Sequence, residues 1–410
     1  MAQKFKLKKR LGEGHFATTY LAKVVDPDLV KKYGKDLVVL KVPLKNRESS
    51  LENEARETIK KENQLFNLIE KGYERKSTNK YIVQYYDFES YKDNIVIVVE
   101  YVPDGNLRNL IGIQEDRKPV DMDVAMKLMQ GMLAGTQFLH WKRILHRDLK
   151  PENILLCQYE ENGKTFFIPK ISDFGCSRLL TPKGRAPTPA GSPPYIAPEF
   201  FDKGEGSLNW DIWSLGVIFY EMLAGHHPFD YTDAFAGNLP YYQAIYTDET
   251  FKRTPLYEVN SAVPKEISEF VDKCLQKEPE NRYQTGKMAR MAFAEICTWL
   301  ELLDLKKTSD KDKFIRQAEK FIRKYPLNSR GYELLGCFYS DKREYLKAFA
   351  VFEDGIKHCP ESGDLYYWAG QNLDQNREAD RAIWYYEKAI EKNARRNYLK
   401  IAKLRCKRSH

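Results

Sequence analysis

Eight consecutive residues, His146-Arg147-Asp148-Leu149-Lys150-Pro151-Glu152-Asn153, are followed twenty positions later by Asp173-Phe174-Gly175. Either triplet at its centre, His-Arg-Asp or Asp-Phe-Gly, means little alone. The two in this order, with an asparagine five residues after the first aspartate, form a specific pattern. It requires a fold that brings two carboxylates, a lysine and an amide from separate loops to one place. A run with helical period, Val124 to Trp141, leads directly into the first segment.

Phosphoryl transfer needs those groups: a carboxylate near the attacking hydroxyl, a cation on the moving phosphate, and oxygen ligands for Mg²⁺. On these residues the chain resembles the eukaryotic-type (Hanks-type) Ser/Thr protein kinase family, from about Phe5 to Trp299. The resemblance implies Asp148 as the group that orients the acceptor hydroxyl and takes its proton. It implies Lys150 as the cation on the γ-phosphate, and Asn153 and Asp173 as the Mg²⁺ ligands. Gly175 is expected to let the backbone turn after Phe174. ATP and Mg²⁺ are the implied cofactors, and protein Ser/Thr hydroxyls the acceptors.

The N-terminal third supplies a candidate nucleotide cradle. Leu11-Gly12-Glu13-Gly14 lies between two strand-like runs, Phe5 to Leu11 and Thr18 to Val25. A glycine-rich hairpin tip lets backbone N–H groups approach phosphates. Ala17 and Thr19 depart from the family's glycine loop, where Gly and Val are usual. Val38-Val39-Leu40-Lys41 resembles the strand whose lysine meets the α- and β-phosphates. Its carboxylate partner is expected on a helix from about Leu51 to Ile69. Glu62 is chosen over Glu54 and Glu57, because Phe66 and Ile69 follow it on one face. Ile82 to Tyr86 and Ile95 to Val99 read as further strands. The second runs into Glu100-Tyr101-Val102-Pro103-Asp104, which resembles the hinge, where the backbones of Glu100 and Val102 would meet the adenine.

Lys150, together with Gly191-Ser192-Pro193-Pro194-Tyr195, is the Ser/Thr form of the family's loops. Ala197-Pro198-Glu199 closes the activation segment. Asp211 is expected to bond the backbone of the catalytic loop, and Arg282 to pair with Glu199. Arg147 beside Asp148 is a cation awaiting a phosphate, and Thr188 is where the family often places one. Both are regulatory expectations, with self-phosphorylation in this segment. Two insertions depart from the compact family pattern, around Asp26 to Asp36 and Cys157 to Pro169; the second, with Asn162-Gly163, reads as a lengthened hairpin.

Past Leu305 helical pattern continues, and a 34-residue register emerges. Tyr332, Gly336, Ala348 and Phe352 match Tyr366, Gly370, Ala382 and Tyr386 in that register, with Leu335 over Ala369. Small residues at helix crossings and large ones between repeats resemble the tetratricopeptide family. Arg395 to Lys407 reads as the capping helix. The tail is basic: from Lys306 on, 24 Lys and Arg face 15 Asp and Glu, and from Lys392 there are eight basic residues and no acid. A peptide or protein ligand is expected for this tail, with nucleic acid the weaker expectation for its basic end.

The expected fold is therefore α+β and bilobal. A small antiparallel β lobe with its helix and a large helical lobe fill residues 1–303, hinged near 100–104. An all-α helical repeat follows over 304–410. No apolar run reaches membrane-span length, and seven scattered cysteines without paired spacing suggest reduced thiols, so a cytoplasmic location is expected. Two rivals remain: an ATP-binding scaffold without catalysis that works through its repeats, and a small-molecule kinase of related fold.

Overall fold

The computed structural model describes residues 4–13, 17–44, 57–58, 60–62, 64–65, 79–91, 94–112, 117–180, 191–203, 206–229, 239–247 and 253–407. Gly14, Thr188, Phe66 and Ile69, named above, lie outside them. The chain divides into two compact units, Met1–Phe293 and Ala294–His410. The division falls inside one helix, Gly286–Lys307, upstream of the 303/304 boundary expected from sequence. Trp299, Leu302 and Leu305 pack with Phe314 and Phe321, which ties the end of that helix to the second unit.

In the first unit, β1 (Phe5–Glu13), β2 (Ala17–Val24), β3 (Leu37–Pro43), β4 (Tyr85–Tyr91) and β5 (Asn94–Glu100) form one antiparallel sheet in the order β1-β2-β3-β5-β4. Alternate residues of β2, β3 and β5 fill one side: Ala22, Val24, Val38, Leu40, Val96 and Val98, with Phe5 and Tyr33. The first insertion contains a helix, Pro27–Tyr33. Asp26 accepts from the Asp28 and Leu29 amides at its start, and proline takes the first position. Its end is fastened to β4, where Asp87 Oδ2 accepts from Lys32 Nζ at 2.5 Å and from the Tyr33 hydroxyl at 3.1 Å.

The strand expected at Ile82 to Tyr86 instead begins at Tyr85. Residues before it are diverted: the Ile171 amide donates to the Tyr81 carbonyl, and the Val83 amide to the Ile171 carbonyl. Apolar alternation alone does not reveal which neighbour a strand will pair with.

The helix Met122–Trp141 leads into β6 (Ile144–Leu145), which pairs with β9 (Arg178–Leu179). Between them, β7 (Ile154–Glu161) and β8 (Lys164–Ile171) make the lengthened hairpin, turning at Asn162 and Gly163 with φ of 53° and 74°. At the centre of this region runs the helix Asn209–Ala224, in which every residue is buried.

Among the described residues of the second unit the only regular elements are helices, joined by short turns. Ser329–Asp341 and Gly363–Gln375 start 34 residues apart, as do Tyr345–His358 and Ala379–Glu391. The turns inside each pair also repeat. Arg343 and Arg377 both adopt positive φ, and the amides of Glu344 and Glu378 donate to the carbonyls of Tyr339 and Leu373. A Cβ on Gly336 would stand 2.4 Å from the Phe352 ring, and one on Gly370 would stand 3.2 Å from the ring of Tyr386. The small residues at the crossings are thus set by the aromatic ring opposite.

Candidate active site

Five separate pieces of chain carry the site: the loop His146–Asn153, the segment of Ser192, β3 with Lys41, the helical residues around Glu62, and the turn at Asp173. The loop His146–Asn153 hangs from the buried helix Asn209–Ala224. Asp211 Oδ2 accepts from the His146 amide at 2.9 Å, and Oδ1 from the Arg147 amide at 3.0 Å. His140 reaches the same carboxylate at 3.1 Å. Burial would raise the pKa of Asp211, but the His140 hydrogen bond, the charges of His140 and His146 and the His146 amide together outweigh it and keep the group ionised. Arg147 bends the loop in a left-handed conformation, φ 69°, a strained shape for a side-chain-bearing residue.

Within that loop, Asp148 and Lys150 face a shared serine. Ser192 Oγ donates to Asp148 Oδ1 at 2.7 Å and accepts from Lys150 Nζ at 2.8 Å. Lys150 Nζ also lies 3.0 Å from Asp148 Oδ2. Burial pulls the lysine's pKa down, but the charge and hydrogen bond of Asp148 with the charges of Glu152 and Asp173 together outweigh it, so the net shift is upward and the group stays cationic. Asn153 Nδ2 donates to the Asp148 carbonyl at 2.8 Å and to its Oδ2 at 3.1 Å.

The second cluster centres on Lys41 of β3. Its ammonium lies 2.8 Å from Glu62 Oε2 and 2.7 Å from Asp173 Oδ1. Residues 57–58, 60–62 and 64–65 are helical, and Glu62 is buried there, whereas Glu57 is exposed and paired with Lys60. The Tyr85 hydroxyl donates to Glu62 Oε1 at 2.5 Å, a partner that sequence reading did not supply. Burial disfavours the Lys41 cation, yet Asp173 and Glu62 more than compensate and raise its pKa. The same charge holds the Asp173 carboxyl at about 2.

Asp173 itself, not Gly175, takes the left-handed turn, with φ 61°. Phe174 is buried against the rings of His146, at 5.2 Å, and Tyr85, at 5.8 Å, so the turn is pinned from both sides.

The residues present fit Mg²⁺. Both Asn153 Nδ2 hydrogen bonds go to Asp148, which leaves its amide oxygen to face a cation. Asp173 is an ionised carboxylate with a side chain 48% exposed. No group of three His, Cys, Asp or Glu able to hold a metal occurs among the described residues. A two-oxygen set suits a cation that keeps waters and takes phosphate oxygens.

Elsewhere the expected residues are placed as follows. Leu11 is exposed on β1, and the Gly12 carbonyl accepts from Thr19 Oγ1 at 3.2 Å. Glu100 ends β5, its amide donating to the Gln84 carbonyl and its carboxylate accepting from Lys170 at 3.0 Å. Val102 is buried just beyond. Arg147 Nε donates to the Cys176 carbonyl at 2.7 Å, and burial together with Arg178 lowers its pKa to about 10. Arg282 forms a two-pronged pair with Glu199, at 2.8 and 2.7 Å. Burial raises the Cys176 thiol to about 11, so it is not a reactive thiolate at neutral pH.

Sequence comparison places this geometry among known proteins. The family model for the protein kinase domain matches residues 5–294. The chain is 33% identical over 233 residues to CBL-interacting protein kinase 10 of Oryza sativa subsp. japonica, covering 56% of this chain and 46% of that protein. It is 34% identical over 225 residues to serine/threonine-protein kinase ULK3 of Homo sapiens, covering 55% and 42%. With CBL-interacting serine/threonine-protein kinase 12 of Arabidopsis thaliana it shares 32% over 284 residues, covering 68% and 50%. The matched stretch spans about half the length of these relatives or less. On a family match that runs through both clusters of the site, the chain belongs to the protein kinase family.

Proposed function

We propose that this chain is a protein Ser/Thr kinase that moves the γ-phosphate of ATP to serine or threonine hydroxyls of proteins. The observation that carries this reading is Lys41 bonded at once to Glu62 and Asp173. It favours an assembled phosphate site over a silent scaffold, whose lysine would have lost a partner. The relatives' names, all Ser/Thr or protein kinases, support the same class.

In this reading Leu11, Gly12 and Gly14 cover the nucleotide, the backbones of Glu100 and Val102 meet its base, and Lys41 orients its phosphates. Asp148 accepts the acceptor hydroxyl's proton, and Lys150 holds the charge that grows on the transferring group. Ser192 fixes the spacing of the two. Asn153 and Asp173 would hold Mg²⁺, which when bound neutralises the phosphate oxygens. Arg147 and Arg178 form a basic site for a phosphate on Thr188, placed there by self-phosphorylation. The helical pairs from Ser329 onward act as a tetratricopeptide-like surface for a protein ligand, and the setting is cytoplasmic.

The test is transfer of labelled phosphate from ATP and Mg²⁺ to a mixed protein substrate and to the chain itself. Wild type is expected to label and Asp148→Asn not to, by a factor on the order of 100 or more, with nucleotide binding retained. Equal labelling by both, or none by either, would remove the proposal.

A further inference from the structure

Tyr85 begins β4, and its buried ring lies against Phe88, with centroids 6.5 Å apart, and against Phe174, at 5.8 Å. A phenylalanine would supply the same apolar contacts. The hydroxyl needs a separate reason, because burying one without partners is costly. It has partners on two pieces of chain. It donates to Glu62 Oε1 at 2.5 Å, and the Phe174 amide donates to the same hydroxyl. Burial, and after it the charge of Glu62, push the phenol well above its ordinary pKa, so the proton stays on the tyrosine.

These partners belong to the two pieces of chain that grip Lys41. Glu62 is buried among the helical residues, and Asp173 directly precedes Phe174. The Lys41 ammonium has three hydrogens, and three contacts take them: Glu62 Oε1 at 3.1 Å, Glu62 Oε2 at 2.8 Å and Asp173 Oδ1 at 2.7 Å. A phosphate arriving at Lys41 must take one of these hydrogens, which weakens the lysine's hold on a carboxylate. The two carboxylates also repel each other once that hold loosens. The Tyr85 hydroxyl joins the same two pieces of chain and uses no lysine hydrogen to do so.

We propose that the Tyr85 hydroxyl is a positioning group for phosphate transfer: it holds Glu62 to the turn Phe174–Cys176 while Lys41 turns from the carboxylates to the nucleotide. The role in transfer rests on the kinase reading above; the link itself rests on the geometry alone. Without the hydroxyl the turn opens more often, and Lys41 loses its aim as the phosphates bind.

The experiment uses the full chain and reads the turn directly. Cys176 ends that turn, and burial holds its thiol at about 11, whereas Cys274 is buried in the helix Lys265–Cys274. Both are labelled with N-ethylmaleimide and followed by peptide-resolved mass spectrometry, in wild type and Tyr85→Phe. The variant is expected to label about 10-fold faster at Cys176, the effect of one buried hydrogen bond, with Cys274 unchanged. Equal acceleration at both thiols means general loosening, and no acceleration at Cys176 means no link; either result overturns the proposal. In transfer, Tyr85→Phe is expected to lower kcat/KM for ATP about 10-fold, and to add little to the loss caused by Glu62→Gln. Equal losses in both backgrounds overturn the action through Glu62. If wild type transfers no phosphate, the kinase reading falls, and thiol labelling alone decides the link. If Tyr85→Phe is insoluble, hydrogen exchange of wild type takes its place. A Phe174 amide as protected as those of Leu40 and Val98 in the sheet supports the link, and exchange at the rate of an exposed loop overturns it.

Discussion

A Cβ on Gly191 would stand 2.6 Å from the carbonyl oxygen of Arg147, and the glycine has φ 141°. Both conditions exclude a side chain, so the segment carrying Ser192 can reach Asp148 only because residue 191 is glycine. Gly191→Ala is expected to displace Ser192 and lower phosphotransfer on the order of 100-fold. Steady-state rates beside a circular dichroism melt would check this; near-normal activity would show the close approach to be dispensable.

The Tyr85 hydroxyl bonds a buried carboxylate, Glu62. Tyr85→Phe leaves that carboxylate with Lys41 but one donor short. Urea unfolding is expected to show a loss of about 1–3 kcal/mol. An unchanged midpoint would mean that another donor replaces the phenol.

His227 is buried with both ring nitrogens committed. Nε2 lies 3.0 Å from the Pro194 carbonyl, so it carries the proton, and Nδ1 accepts from the Phe229 amide. Burial holds its pKa at about 4, below the unfolded value near 6.5. Between these values the unfolded chain binds the extra proton, so stability is full above pH 6.5 and falls toward pH 4. The loss should be on the order of 3 kcal/mol across that window. His227→Gln should flatten the denaturation midpoint between pH 7 and 4.5; a parallel pH profile would refute the assignment.

Asp173 is held at about 2 by Lys41, so it remains an anion through the working pH range. Its contribution to stability is present above the unfolded value near 4 and is lost as pH falls through about 2. Asp173→Asn is expected to abolish the Mg²⁺ dependence of nucleotide binding, and chelation by EDTA should mimic it in wild type. Calorimetric titration of nucleotide with and without Mg²⁺ distinguishes these outcomes.

In the second unit, Gly336→Ala places a methyl group 2.4 Å from the Phe352 ring. Overpacking of this kind costs about 1–3 kcal/mol. Combining it with Phe352→Leu should recover part of the loss, which a double-mutant cycle on thermal unfolding would measure. Strict additivity would break the pairing of small and large residues inferred from the 34-residue register.

Local patterns made much of this architecture readable. The 34-residue register of small and aromatic residues is matched by helices that start 34 residues apart, at Ser329 and Gly363. Glu62 over Glu57 followed from helical spacing. What escaped depended on partners distant in sequence. Nothing near Tyr85 announces Glu62, and nothing near Arg108 announces Glu221, 113 positions away. The start of β4 was missed because Ile171 claims the backbone at Tyr81 and Val83. Asp173 bearing the left-handed turn beside a glycine was likewise invisible, since residue type favours the glycine and only packing of Phe174 decides otherwise.

Asp211 takes the amides of His146 and Arg147 from within a helix that has no exposed residue. Those two amides belong to a loop, yet their release demands that the buried helix let go. Their hydrogen exchange should therefore be slow, on the scale of the whole lobe opening and not of loop fraying. Loss of the catalytic geometry on heating would then coincide with melting of the lobe, leaving no folded but misaligned state in between.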